Sequence, residues 1–331
     1  MFKSLRQSYL NKGLHESVTK LIFASWREST KKLYVNIIIK WQKYCQDHKI
    51  SECQKTHEQG INFLAELFKN GASYNKICLA RSALSSFVFN DNFGSKPIVS
   101  RFMKGVFEAR PQFKYSSKIP RWDAGQVLKF ISSWYPNKDL NLKELSLKCT
   151  FLIIMCTGQR IQTLAQIKID NIIFSDNLCH IVIDSLLKHS RRNKQQEPLE
   201  IIGFEDNESI CPLLTLKEYI ERTKDLRSNN QYQDKLFISY RKPHQNVSCD
   251  TLSRWIKNVL TKAGVTDTIN AYSVRAISTS TAAAAGIPIS EILRAAGWSN
   301  SNTFAVFYKK DVNPKFGSYM KGKLSNCYYD I

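Results

Sequence analysis

Between residues 29 and 111 apolar side chains return at every third and fourth position, a period that leaves room for little except packed amphipathic helices. Tyr34, Ile37, Ile38, Trp41, Tyr44 and Cys45 share one face behind Ser29 or Thr30, both suitable caps. A second set, Ile61, Leu64, Ala65 and Phe68, spans 57–70 and stops at Gly71. Ile77, Ala80, Leu84 and Phe87 make a third. Val99, Phe102, Met103, Val106 and Phe107 make a fourth, broken at Pro111. Four short helices with short loops predict a small bundle over 29–112. The N-terminal segment 1–28 offers only a short helix near 17–25.

The stretch 113–120 is polar, basic and ends in Pro120, so it reads as a linker. Beyond it the pattern changes. Asp123 caps a helix reaching Trp134, and a second helix ends at Gly158. Three short strand candidates follow at 171–174, 180–184 and 198–202. Between the last two lies a polar, basic loop from Lys188 to Gln196, the tip of a hairpin. Helices resume at 214–223, 250–263, 273–285 and 290–296, before a turn from near Thr303 that carries Tyr308. Residues 121–331 are therefore expected to form a second domain, and a chain of 331 residues can build two such cores.

Charge narrows the partners. The chain has 48 Lys and Arg against 28 Asp and Glu, a net +20. Residues 1–118 alone carry 20 against 8. Such an excess points to a polyanion: nucleic acid first, an anionic membrane surface second. No apolar run approaches the ~18 residues of a membrane span. The longest runs from Phe151 to Cys156, and the first residues do not read as a signal peptide. No RNP-like or KH-like sequence favours RNA. Nine cysteines without a C-x-x-C pair suggest reduced thiols in the cytosol or nucleus. Cys179-His180 and Cys211 lack zinc-ligand spacing, so no metal site is expected.

A set of residues suited to phosphodiester chemistry is spread along the second half. Thr157-Gly158-Gln159-Arg160 opens it, Tyr272-x-x-Arg275 follows, and Gly297-Trp298 precedes Tyr308 by ten residues. Cutting a phosphodiester without metal needs a nucleophile, cations on the non-bridging oxygens and an acid for the leaving oxygen. Arginine donates two hydrogen bonds to phosphate and stays charged. Lysine crowded by other cations can give up its proton near neutrality. A phosphotyrosyl ester keeps the bond energy, so the strand can be rejoined without ATP.

The stretch from Arg160 to Tyr308 resembles the catalytic domain of the tyrosine recombinases, the integrase family related in fold to type IB topoisomerases. Within it Leu236-Phe237-Ile238-Ser239-Tyr240, the segment 247–257 around Arg254 and the segment 290–308 are similar to recombinases of DIRS-type retrotransposons. The resemblance implies a mostly α fold with a small antiparallel β-sheet, in which a helical core-binding domain and a catalytic domain form a C-shaped DNA clamp. It makes Arg160 and Arg275 the phosphate-clamping arginines and Tyr308 the nucleophile. Tyr272 stands where most relatives have histidine. Trp298 stands where most have histidine and some tryptophan, and its indole can only donate. The hairpin lysine is Lys188, with Lys194 the alternative; Lys194, Arg191, Arg192 and Arg254 are expected to contact DNA. Thr163 occupies a position usually acidic, and Tyr272, a phenol of pKa ~10, is no proton acceptor near neutrality.

The implied activity is site-specific recombination or integration, transposon-encoded, through a 3′-phosphotyrosyl intermediate and without metal, cofactor or ATP. Double-stranded DNA is the implied partner, with a dimer on each site and four protomers on two duplexes. The implied compartment is the nucleus of a eukaryotic host, or the cytoplasm if the source is prokaryotic or viral. A DNA-binding derivative that no longer cuts, and a type IB topoisomerase-like relaxing enzyme, are the alternatives.

Overall fold

The structure is a computed structural model. It describes residues 6, 9, 10, 13–51, 55–89, 92–111, 122–187, 190, 197–227, 234–265, 271–298 and 304. The chain divides into two units, Met1–Lys114 and Tyr115–Ile331.

In the first unit the three-and-four period becomes helix throughout. Helices α1 (Glu16–Ala24) and α2 (Glu28–Asp47) lead, and α2 buries Ile37, Ile38, Trp41, Tyr44 and Cys45. Its start differs from the expectation. Arg27 occupies the cap position without a side-chain bond, and Ser29 and Thr30 fall inside the first turn. Glu28 compensates there: an acid in the first turn favours the helix dipole, and it pairs with Lys31 at 2.6 Å. Helix α3 (His57–Lys69) begins with a capping box between Thr56 and Gln59. Helices α4 (Tyr74–Leu84) and α5 (Pro97–Ala109) complete the set, α5 with proline in its first turn. Their inward faces close one core around Trp41, Phe63, Leu64, Ile77, Leu84 and Val99.

The second unit is built around one helix. Asp123 caps α6 (Ala124–Ser132) by accepting the Gly125 N–H at 2.8 Å. Helix α7 (Leu142–Thr157) then follows an Asn141–Glu144 capping box. Positions 145–154 of α7 are all buried, the polar Ser146, Lys148 and Thr150 among them. Helices α9 (Pro212–Thr223), α10 (Cys249–Lys262) and α11 (Ala271–Ala284) all pack on it. Lys148 sits within this packing, its ammonium donating to Trp134 O at 2.6 Å and Asn137 Oδ1 at 2.8 Å. Burial pushes that amine down to about 8. The short α8 (Ile161–Leu164) and α12 (Ile289–Ala295) stand after α7 and α11.

Three strands, β1 (Ile172–Phe174), β2 (Leu178–Ile181) and β3 (Leu199–Ile202), form an antiparallel sheet in the order β1-β2-β3. The sequence reading put the middle strand at 180–184, which is two residues late and three too far. Pairing sets its limits: Ile172 faces Ile181 and Leu178 faces Ile202, so residues past Ile181 have no β1 partner. The fold is thus mostly helical with one small antiparallel sheet. Among the described residues no helix is long and apolar enough to cross a membrane.

Candidate active site

Helix α7 ends because Gly158 turns left-handed, at φ +58°, while its N–H bonds Ile154 O at 3.0 Å. The turn also lies hard against α11. A Cβ on Gly158 would come within 3.2 Å of Thr279 Cγ2, and Ser278 Oγ donates to Met155 O at 2.6 Å. Gly158→Ala therefore meets both backbone strain and crowding. It should lower folding stability by about 1–3 kcal/mol, read as a reduced urea midpoint. An unchanged midpoint would show that the turn tolerates a side chain.

Beyond the glycine, Gln159 turns inward and is 3% exposed. Arg160 follows as the extended, partly buried cap residue of α8. The Gln159 amide Nε2 donates to Ala295 O at the end of α12, and its Oε1 accepts from Thr163 Oγ1 at 3.1 Å. Thr163 is itself buried.

Helix α11 supplies the second half. Tyr272, in its first turn, is 50% exposed, whereas Arg275, one turn on, is 1% exposed. Trp122 Nε1 donates to Ser273 Oγ at 3.1 Å and pins that turn. The Arg275 guanidinium donates from Nη2 to Ala296 O at 2.8 Å and lies 4.3 Å from the centre of the Trp298 ring. Such cation–π contacts contribute roughly 0.5–2 kcal/mol.

The end of α12 explains how Trp298 arrives there. Gly297 is left-handed at φ +64°, its N–H bonds Arg294 O, and the Trp298 N–H bonds Leu293 O at 2.8 Å. This is a Schellman turn, which only a residue free to take positive φ closes cheaply. Trp298 then packs with Phe304, Ile292, Ala296 and Ala276 in a small cluster.

A cleft of about 750 Å³ opens beside these groups, walled by Thr157 and Gln159, by Leu199 and Ile202 of β3, and by Leu293 and Trp298. Ser190 and Glu197, from the β2–β3 connection, also line it. An exposed ion pair, Arg294 to Glu197 at 3.4 Å, spans it. At the start of that connection, the hydrogen bond from Lys168 holds the Asp184 carboxyl down to about 2.

The structure thus brings the Arg160 turn, Arg275 and Trp298 to one helix end. Tyr272 lies on the same first turn of α11 as Arg275. Arg254 is exposed on α10, bonds Thr251 Oγ1 at 3.1 Å and does not line the cleft. Tyr308, Lys188, Lys194, Arg191 and Arg192 lie outside the described residues. Sequence reasoning missed Gln159 as a structural group. Its one signal was a polar residue beside the arginine, with nothing to reveal a partner 136 positions away.

The sequence profile of the phage integrase family matches residues 125–313, more than half of the chain. The chain belongs to the phage integrase family, the tyrosine recombinases. Solved structures agree on the fold. A lambda integrase dimer bound to a COC′ core site is 14% identical at TM-score 0.51, covering 95% of this chain and 77% of that one. XerH recombinase bound to palindromic difH substrate, a post-cleavage complex, is 15% identical at 0.58, covering 83% and 75%. The Tn1549 transposon integrase in complex with transposon right end DNA is 13% identical at 0.52, covering 89% and 99%. At such identities the likeness concerns architecture. No curated protein sequence matches the chain.

Proposed function

We propose that this tyrosine recombinase family member cuts and rejoins duplex DNA at specific sites through a 3′-phosphotyrosyl intermediate. One observation carries the reading. Two arginine-bearing segments, 115 positions apart in the sequence, are tied to consecutive carbonyls, Ala295 and Ala296, at the rim of one cleft. In the proposed reaction the Tyr308 phenol gives up its proton to solvent water, and its oxygen attacks phosphorus and forms the phosphotyrosyl bond. The bond from phosphorus to the 5′-oxygen breaks, and that oxygen takes a proton from Lys188, or from Lys194 in the alternative assignment. Arg160 and Arg275 neutralise the non-bridging oxygens as charge builds. Tyr272 donates a hydrogen bond to the same phosphate, and the Trp298 ring backs the Arg275 guanidinium. A 5′-hydroxyl from another strand reverses the sequence and reseals the backbone, so no metal or ATP takes part.

The DNA-bound dimer among the similar structures, and a lambda integrase tetramer bound to a Holliday junction, favour a dimer on each site and four protomers on two duplexes. The motifs shared with DIRS-type recombinases favour a transposon origin and a nuclear setting. Lys194, Arg191, Arg192 and Arg254 are assigned to DNA contact, consistent with the +20 net charge. Thr163 and Tyr272 favour a second reading, a DNA-binding derivative that does not cut.

Incubation with nicked duplexes carrying candidate element ends, followed by SDS electrophoresis, tests the proposal. A covalent complex is expected, with protein on the 3′-side of the break. Affinity should fall steeply between low and moderate salt, because displaced counterions drive much of the binding. Salt-sensitive binding without an adduct would favour the derivative. Rapid relaxation of any supercoiled plasmid without synapsis would favour a topoisomerase.

A further inference from the structure

We propose that Gln159 and Thr163 act as a pair of positioning residues that set where the Arg160 guanidinium stands relative to Arg275; this rests on the recombinase reading above. Their chemistry admits one arrangement. The Ala295 carbonyl draws the Gln159 NH₂ toward it, and the Thr163 hydroxyl donates to Gln159 Oε1 at 3.1 Å, holding the amide from its other side. Flipped, the amide would oppose carbonyl to carbonyl at Ala295, which can only accept; with the amide so fixed, Gln159 Oε1 is left as the acceptor for the Thr163 hydroxyl. Burial makes the choice costly to reverse, since Gln159 is 3% and Thr163 1% exposed.

The pair is also placed to act on geometry. Gln159 immediately precedes Arg160, and Thr163 lies within α8, the helix that Arg160 caps. The three residues therefore share one turn. That turn is fixed to Ala295 O, one peptide unit from Ala296 O, which receives Arg275 Nη2 at 2.8 Å. Only side-chain hydrogen bonds and a single peptide link separate the two arginine anchors. A neighbouring support, Ser278 Oγ to Met155 O, holds α7 to α11 but does not orient the turn after Gly158. Neither Gln159 nor Thr163 is assigned any contact with DNA, so their effect reaches the reaction through Arg160.

The test compares Gln159→Met, Thr163→Val, the double variant and Thr163→Ser for duplex affinity, thermal unfolding and single-turnover adduct formation on nicked DNA. The two single variants should form adduct about 10–100-fold more slowly, as expected for a small misplacement of a catalytic group. Duplex affinity should stay within about twofold of the parent, well below the melting temperature. The double variant should be no slower than Gln159→Met alone, because both remove one linkage. Thr163→Ser, which keeps the hydroxyl, should recover most of the rate lost in Thr163→Val. Parental rates in the single variants, or losses that add in the double variant, would overturn the assignment. So would losses that vanish on cooling in step with stability. Where Gln159→Met fails to fold, the Val and Ser variants at position 163 decide the matter. Absence of adduct from the parent protein would sink the recombinase reading itself. Adduct from the parent with unaltered variants would sink this assignment alone.

Discussion

Tyr308→Phe should abolish the SDS-stable protein–DNA complex while leaving duplex affinity nearly unchanged. Phenylalanine keeps the ring but has no oxygen, so no phosphotyrosyl bond can form. One hydroxyl contributes about 0.5–1.5 kcal/mol as a hydrogen bond, which sets the largest expected loss in binding. The assignment rests on the sequence alone: Tyr308 is ten residues beyond Trp298, whose ring backs Arg275. Gel electrophoresis after SDS, with mobility shift run in parallel, separates the two effects. An adduct that survived in the phenylalanine variant would place the nucleophile on another residue. Equal loss of binding and adduct would point to misfolding and call for a melting curve.

Arg275→Ala should affect both chemistry and folding. Removing one preorganised donor from a developing charge costs roughly 10²–10³ in rate. The same side chain is 1% exposed, bonds Ala296 O at 2.8 Å and lies against the Trp298 ring. Truncation forfeits a charged hydrogen bond of about 1.5–3 kcal/mol and a cation–π contact, and leaves the Ala296 carbonyl buried without that donor. Arg275→Lys separates the two roles. A lysine ammonium can still reach a carbonyl, but it lacks the planar fork that grips two phosphate oxygens. The lysine variant should therefore melt closer to the parent than the alanine variant while remaining slow in adduct formation. Single-turnover rates and thermal unfolding measured on both variants check this. A rate within threefold of the parent in Arg275→Ala would remove Arg275 from the proposed site.

The local parts of this architecture could be read from residues a few positions apart. Helix stops at Gly71 and Gly158, the Asp123 cap and the inward face of α2 each depend on neighbours within one or two turns. Strand existence was legible from short apolar runs, but not the ends of β2, which depend on partners in β1 and β3. Motif order identified Arg160, Arg275 and Trp298, and the structure gathers all three segments at α12. What the sequence could not disclose was the burial of Arg275 against the C-cap of α12, or the bonding of Gln159 across 136 positions. Both are tertiary facts: the same glutamine on a solvent-facing turn would leave an identical sequence signature. Thr163, which looked like a missing acid, is occupied with Gln159 instead.

The brevity of α12 has a consequence of its own. A helix of seven residues does not stay wound in water unaided, because nucleation is too unfavourable at that length. Side chains arriving from two remote stretches of chain therefore act as its clasp, holding Ala295 and Ala296 in the last turn. The polypeptide leaves this clasp through Gly297 toward position 308. Both fastenings converge on these two alanines, so one short helix end, the one that leads into Gly297, is shared by both arginine segments.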